Sequence, residues 1–282
     1  MLDAHDERDA MKALTLAELE ARIQGGENLQ RVELAGLNLS GAKLGGAQLQ
    51  RANLDGANLE NAELSGAQLQ GASLREAFLV GAKLAQAVLS NADFDGANLS
   101  GADLSDADLT RANLAGAKLE GAKLRGARLR YAQLDSCDLA DAALEGASFS
   151  HADLTDALLS GVRATGTSFS RAVLERADLR DAVLAEADFE GANLDKAQLA
   201  NADCTRTRFL EADLSHARLD WAKLQEADLR RANLHGVSLN GAQLTGAHLF
   251  GAGGEPHAAD VAIAEWVDLS PGADGERRGT LD

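Results

Sequence analysis

Proline, cysteine, methionine and tyrosine are all but missing from this chain: its 282 residues include two, two, two and one of them. Aromatic residues make up 4%. No apolar run approaches the roughly 20 residues that a membrane-spanning helix needs. The acidic N-terminus (Asp3, Asp6, Glu7, Asp9) has no apolar secretory core, so a cytoplasmic location and no membrane contact are expected. Positive charge is also short, with 27 Lys and Arg against 44 Asp and Glu, a net −17 that argues against direct nucleic-acid binding. Two cysteines, Cys137 and Cys204, cannot make a disulfide framework, and both are expected to be reduced core residues. So few rings also exclude a core built around bulky aromatics.

Small and branched residues at a fixed spacing take their place. Of the 44 positions ending in 4 or 9 between Leu34 and Leu249, Leu occupies 37 and Phe five (Phe94, Phe149, Phe169, Phe189, Phe209). Ala164 and Cys204 hold the other two. Two places before each stands Ala in 37 of 44 cases; the exceptions are Val32, Leu37, Cys137, Val162, Thr167, Thr207 and Val237. A straight helix cannot use a period of five, because five steps of roughly 100° swing the next Leu about 140° off the face. A straight strand fails as well, since period two sends successive Leu residues to opposite sides. The chain must therefore bend within every five residues, and Gly, Asn, Asp, Ser and Arg crowd the positions where turns need them. Such a chain is a solenoid.

Phe149, Phe169, Phe189 and Phe209 recur at steps of 20, as expected if four segments close one coil and the rings form one column. Arg51, Arg111, Arg171 and Arg231 repeat at multiples of the same step. Units such as Ala102-Asp103-Leu104-Ser105-Asp106 and Ala192-Asn193-Leu194-Asp195-Lys196 resemble the A(D/N)LXX repeat of pentapeptide repeat proteins. That resemblance covers roughly four-fifths of the chain and implies an all-β solenoid, a right-handed quadrilateral β-helix with Leu, Phe and Ala inside. Its 44 segments would make about 11 coils and a rod about 53 Å long. On that rod the two cysteines lie roughly 16 Å apart, beyond the ~7 Å reach of a disulfide.

The ends are expected to differ from the middle. Residues 1–13 read as a disordered lead. A short capping helix is expected over 14–26, with a Thr15/Glu18 capping box, Leu16, Leu19 and Ile23 on one face, and Gly25-Gly26 as its stop. It would cover the open edge of the first coil, where Val32 and Leu37 replace Ala. The repeat domain is placed at 27–252, with weak units at 161–165, where a kink or tilt is expected, and around Cys204 and Thr207. Residues 253–269, with Val261, Ile263, Trp266, Val267 and Leu269, read as a C-terminal cap or dimerisation segment, and 270–282 as a flexible tail.

A four-sided register also sorts the charge of residues 33–252. The sides centred on Leu34 and Leu39 carry net −8 and −4, the Leu44 side is neutral, and the Leu49 side carries +3. Asp55, Asp93, Asp95, Asp135, Asp153, Glu175, Asp195 and Asp213 form a candidate acidic binding face on the first of these. Resemblance to family members that protect type II topoisomerases would make this face a mimic of duplex DNA. About 53 Å of duplex, however, holds roughly 31 charges. The two acidic sides hold a net 12, and the plain alternative is a solvated, solubilising surface.

Nothing in the pattern assembles a nucleophile with a base, a phosphate loop or a metal set, so no enzyme, no cofactor and no metal are expected. His216 and His235 share a column one coil apart, but no spacing completes a site around them. Phe78, Val80, Leu158 and Trp221 point outward on the Leu39 side. Leu210 and Phe250 on the Leu49 side, together with Trp221 and Trp266, make a candidate C-terminal interface for the chain's own tail or a homodimer. The expectation is a rigid, non-catalytic protein-binding scaffold with two acidic sides. Two alternatives stay open: a DNA-mimicking modulator of a type II topoisomerase, and a component associated with a type VI secretion system. The latter is suggested by a looser resemblance of the N-terminal helix and Ala-Gly-rich repeat to pentapeptide segments of such systems.

Overall fold

The structure is a computed structural model that describes residues 15–254, 264–270 and 278–279. The expected lead at 1–13, Val261, Ile263 and residues 271–277 lie outside the described residues.

A single hydrogen-bond scheme, repeated every five residues, generates the architecture. Within each unit the chain runs extended for three residues and then turns. Residue 28 pairs in parallel with 48, 33 with 53, 38 with 58, and the step of 20 holds to Asn233 and Gly253 without a gap. Each side is too short for more than one such pair per neighbouring coil, and the ladder grows along the rod instead. The unit around Leu54 illustrates the bonding. Leu54 N donates to Ser73 O at 2.7 Å and Gly56 N to Arg75 O at 2.8 Å, both in the next coil. Asn53 N donates back to Val32 O at 2.9 Å, and Ala57 N closes the turn on Leu54 O at 3.0 Å. Four of five backbone N–H groups are thereby satisfied. The fifth, on the residue after the central Leu, is met by the side chain before it: Asp55 N donates to Asn53 Oδ1 at 3.1 Å. The same bond recurs from Ser105 N to Asp103, Thr155 N to Asp153 and Ser215 N to Asp213. An Asp or Asn in the second position of the unit is thus the acceptor for the donor that the ladder leaves over.

The turn places its second corner residue at positive φ in every unit. Glycine supplies this freely at Gly56 (φ 61°), but Arg111, Tyr131, His151 and Trp221 also adopt it, at φ 59–62°. For an L-residue that region costs of order 1 kcal/mol, which the ladder overrides.

Inward side chains form one continuous core. Inward Leu, Phe and Ala of the repeat are buried almost completely from Leu39 to Ala247, except Leu234, which is partly buried. The rings of Phe149, Phe169, Phe189 and Phe209 stack in one column, with centroids 5.2, 4.8 and 5.2 Å apart and planes within 17°. Both cysteines are free and buried. Burial pushes both thiol pKa values well up. At 161–165 the ladder passes through Arg163, which pairs with Ala143 and Val183, so no pair is lost where Val162 and Ala164 exchange sizes. Thr167 and Thr207 occupy Ala positions with their hydroxyls inside; each donates to a backbone carbonyl, of Leu144 and Leu184, at 2.7 Å.

At the N-terminal end, α1 (Leu16–Gln24) begins with a capping box in which Thr15 Oγ1 accepts from Glu18 N and Thr15 N donates to Glu18 Oε2 at 3.0 Å. Leu19 is buried in the common core, and Leu16, Ile23, Val32 and Leu37 pack against it. Glu20 Oε1 accepts from Lys43 N at 2.8 Å, which ties the helix to the coils.

At the C-terminal end the repeat runs past the boundary expected at 252. Pairing does not stop at 252: Gly253 pairs with Asn233, and Asp268 pairs in parallel with His248, twenty residues back. Val267-Asp268-Leu269-Ser270 is itself a degenerate repeat unit, with Val267 buried and Ser270 N donating to Asp268 Oδ1 at 2.8 Å. Strand β1 (Val267–Asp268) also pairs antiparallel with β2 (Arg278–Gly279). The tail expected over 270–282 therefore contributes a strand at 278–279, because the outer edge of the last unit offers unpaired backbone groups.

Candidate binding faces

The eight carboxylates of the Leu34 side do line one side, but most of them are occupied. Asp55 accepts from Ser73 Oγ and from Arg75 N at 3.0 Å. Asp93 accepts from Asp95 N at 3.1 Å and Asn113 Nδ2 at 2.9 Å, while Arg75 reaches Asp93 at 3.8 Å and Asp95 at 3.5 Å. Asp153 caps Thr155, Glu175 pairs with Arg176, and Asp213 accepts from Ser215 and Asn233. Asp195 is the most engaged. It accepts from Lys196 Nζ at 2.7 Å and Ser215 Oγ at 3.1 Å, and meets His216 Nδ1 at 2.9 Å. The Lys196 ammonium, with His216 and Ser215, holds its pKa down at about 2. Asp135 is half-buried on the same side. This side is a row of turn caps and short-range ion pairs as much as a field of free charge.

His216 and His235 meet edge to face at 5.4 Å between ring centroids. Among the described residues no group of three or more His, Cys, Asp or Glu is arranged to hold a metal ion. Open recesses lie along the outer faces, one lined by Ser105, Asp106, Arg125, Gly126 and Glu145. Another, of about 210 Å³, is lined by Leu210, Phe250, Arg230 and Arg231, so the structure brings Leu210 and Phe250 together on the Leu49 side. Trp221 stands elsewhere, 64% exposed, with its indole flat over Gly241, where any Cβ would lie within 2.7 Å of the ring. Trp266 packs against Gly246. The four residues of the candidate C-terminal interface thus occupy three separate places. Phe78 and Leu158 are exposed on the Leu39 side, with Val80 half-buried beside Phe78.

One cluster was not singled out in the sequence. At the corner after the Leu49 side, Tyr131 stacks on His151, centroids 4.9 Å apart and planes 15° apart. The guanidinium carbons of Arg111 and Arg130 lie 5.8 and 5.7 Å from the Tyr131 centroid. Residues 111, 131, 151 and 171 share a register position, so the step of 20 that exposed the Phe column could have revealed this one too.

Among the described residues no helix is long and apolar enough to cross a membrane. A family profile described as pentapeptide repeats (8 copies) matches residues 28–66, 62–101, 102–139, 137–176, 177–215 and 212–251. Among solved structures, HetL, a pentapeptide repeat protein involved in heterocyst differentiation regulation from the cyanobacterium Nostoc sp. strain PCC 7120, is 33% identical over 83% of this chain and 96% of its own, with a TM-score of 0.40. QnrB1, a plasmid-mediated fluoroquinolone resistance protein, is 19% identical in a trypsin-treated form, over 65% of this chain and 89% of its own, with a TM-score of 0.54, a likeness of fold alone. No curated protein matches the sequence. The profile, which spans most of residues 28–251, together with the unbroken five-residue scheme, establishes that this chain belongs to the pentapeptide repeat family.

Proposed function

We propose that this chain is a rigid, non-catalytic protein-binding rod, a right-handed four-sided helix of about 11 coils that presents side chains at fixed spacing. The observation that carries this reading is the ladder. From residue 28 to 233 every unit is paired with the one twenty residues on, the last of them at Gly253, so the outward side chains are held on a stiff frame. Many of its carboxylates serve as turn caps and ion-pair partners that fix the outward side chains in place, as at Asp195 and Asp213. The test is a pull-down from cell extract with the full chain as bait, washed at high salt and followed by cross-linking. A defined protein retained through the wash and cross-linked to outward residues supports the rod; recovery of nothing beyond a charge-matched control protein overturns it.

The acidic Leu34 and Leu39 sides favour a second reading, mimicry of duplex DNA toward a type II topoisomerase. The family contains QnrB1, named for fluoroquinolone resistance. Charge density weighs against it, since the net 12 of these sides falls well below the roughly 31 of an equal length of duplex. Local partners such as Arg75, Arg176 and Lys196 weaken the field further. A gyrase supercoiling assay decides: mimicry requires inhibition or protection that disappears when Asp93, Asp95, Asp135 and Asp153 are changed together to Asn. Nothing in the fold or the relatives points to a secretion apparatus.

A further inference from the structure

We propose that the corner strip Arg111–Tyr131–His151–Arg171, with Arg130 beside it, docks a short acidic segment of a protein partner. The proposal rests on the protein-binding reading above and adds the place and the partner's chemistry.

The Leu49 side is not uniformly basic. Up to residue 171 it carries Arg51, Arg111, Arg128, Arg130 and Arg171 against Asp108 alone; beyond that, four acids outnumber three bases. Most arginines among the described residues are neutralised at home, as Arg176 is by Asp156 and Arg208 by Glu190. Arg128 pairs with Asp108 at 3.5 Å. Arg111, Arg130 and Arg171 have no carboxylate at ion-pair distance among the described residues. Arg111 and Arg130 instead flank the Tyr131 ring, and all three residues are exposed. On the Leu49 side the floor beside His151 and Arg171 is uncharged, whereas the Arg128–Asp108 pair flanks the lower half of the strip. Ser148, Ser150 and Ser168 form a hydroxyl chain with spacings of 3.2 and 3.1 Å, and Ser170 N reaches Ser168 Oγ at 3.5 Å. Guanidinium groups held beside an aromatic face suit carboxylates, bidentately and with a flat surface for the intervening side chain.

Length selects the occupant. From 111 to 171 the strip climbs three coils, about 14 Å. Alternate side chains of an extended peptide lie about 6.6 Å apart, so acidic residues at i, i+2 and i+4 span about 13 Å and match the strip end to end. A nucleic acid fits worse. It would run past the strip onto a chain of net charge −17, beside a Leu34 side of net −8, where its further phosphates are repelled.

The probe is a fluorescein-labelled peptide of about ten residues with Glu at alternate positions, titrated at low salt by anisotropy against the full chain. Changing Arg111, Arg130 and Arg171 together to Gln should weaken binding about tenfold or more, and Tyr131→Ala by several-fold. A control with Arg75, Arg180 and Arg218 changed to Gln has the same net charge and should bind within about twofold of wild type. Circular dichroism melts identify any variant whose fold is lost; for such a variant, cross-linking of the peptide to wild-type residues 111–171 replaces the titration. The proposal is overturned if the wild type does not bind, if both triple variants weaken equally, or if single-stranded DNA of equal charge binds this strip more tightly than the peptide. The two levels separate cleanly in the pull-down. A partner still retained by the Arg111, Arg130, Arg171 variant sinks the strip and leaves the rod reading standing, whereas no retained partner and no peptide binding sink both.

Discussion

Phe169 offers a sharp test of how the core is held together. It is fully buried and sits between Phe149 and Phe189, at 5.2 and 4.8 Å. Phe149 has one stacked neighbour, and Phe94, equally buried, lies between Leu74 and Leu114 in its own column with no ring partner among the described residues. Changing each to Leu costs a similar cavity term, about 1 kcal/mol, because Leu is the usual occupant of these positions. The stacked pairs add about 0.5–1.5 kcal/mol each beyond burial. The expected order is Phe94→Leu least, Phe149→Leu greater by about 0.5–1.5 kcal/mol, and Phe169→Leu greater by about 1–3 kcal/mol. Urea unfolding followed by far-ultraviolet circular dichroism reads the order directly, provided that the slope against urea stays constant across the set. Equal midpoints for Phe94→Leu and Phe169→Leu would refute the claim that the rings stabilise one another.

Further outcomes follow from the same frame. Leu124→Asp places a carboxylate in the middle of the closed core; it should cost about 4 kcal/mol or more, and an unchanged thermal melt would contradict the inward assignment. Cys137 and Cys204, buried and with raised pKa, should give no reaction with a thiol reagent in the native chain and two equivalents after denaturation. Asp195 is held at about 2 by Lys196, His216 and Ser215, below its ordinary 3.8, so its stabilising share is fully present above 3.8 and is lost as pH falls through about 2. Asp195→Asn should therefore narrow the stability gap between pH 5 and pH 2 relative to wild type, and parallel pH profiles would exclude that role.

Much of the architecture can be read from the residues because each unit states the same rule. Leu or Phe at every fifth place and Ala two before it fix the inward face, and the Phe149 to Phe209 spacing discloses the coil length. The reason for Asp or Asn in the second place is not visible in a linear pattern. It emerges only once the ladder leaves the N–H after the central Leu without a backbone acceptor, as at Asp55. The acidic face was legible as a count but not as a field, since Arg75 and Lys196 reach their carboxylates through side-chain geometry. Arg111 and Arg171 stood out by their spacing, but Tyr131 and His151 between them differ in type, so the stacked pair shows only when the step of 20 is followed position by position. Val267–Ser270 could be read only as part of an apolar C-terminal cap, because the stretch between Gly254 and Ala264 carries no Ala–Leu beat, although its position, twenty residues after His248, keeps the register.

The claim beneath all of this is that one coil consumes twenty residues. Spin labels at Arg51→Cys and Arg171→Cys, with Cys137 and Cys204 replaced by Ala, measure it directly, since both labels sit at one corner and six coils apart. Pulsed electron-electron resonance should give one narrow distance near 29 Å, six steps of about 4.8 Å. A distance near 38 Å, as eight shorter coils of fifteen residues would produce, or a broad distribution with no preferred value, would contradict it.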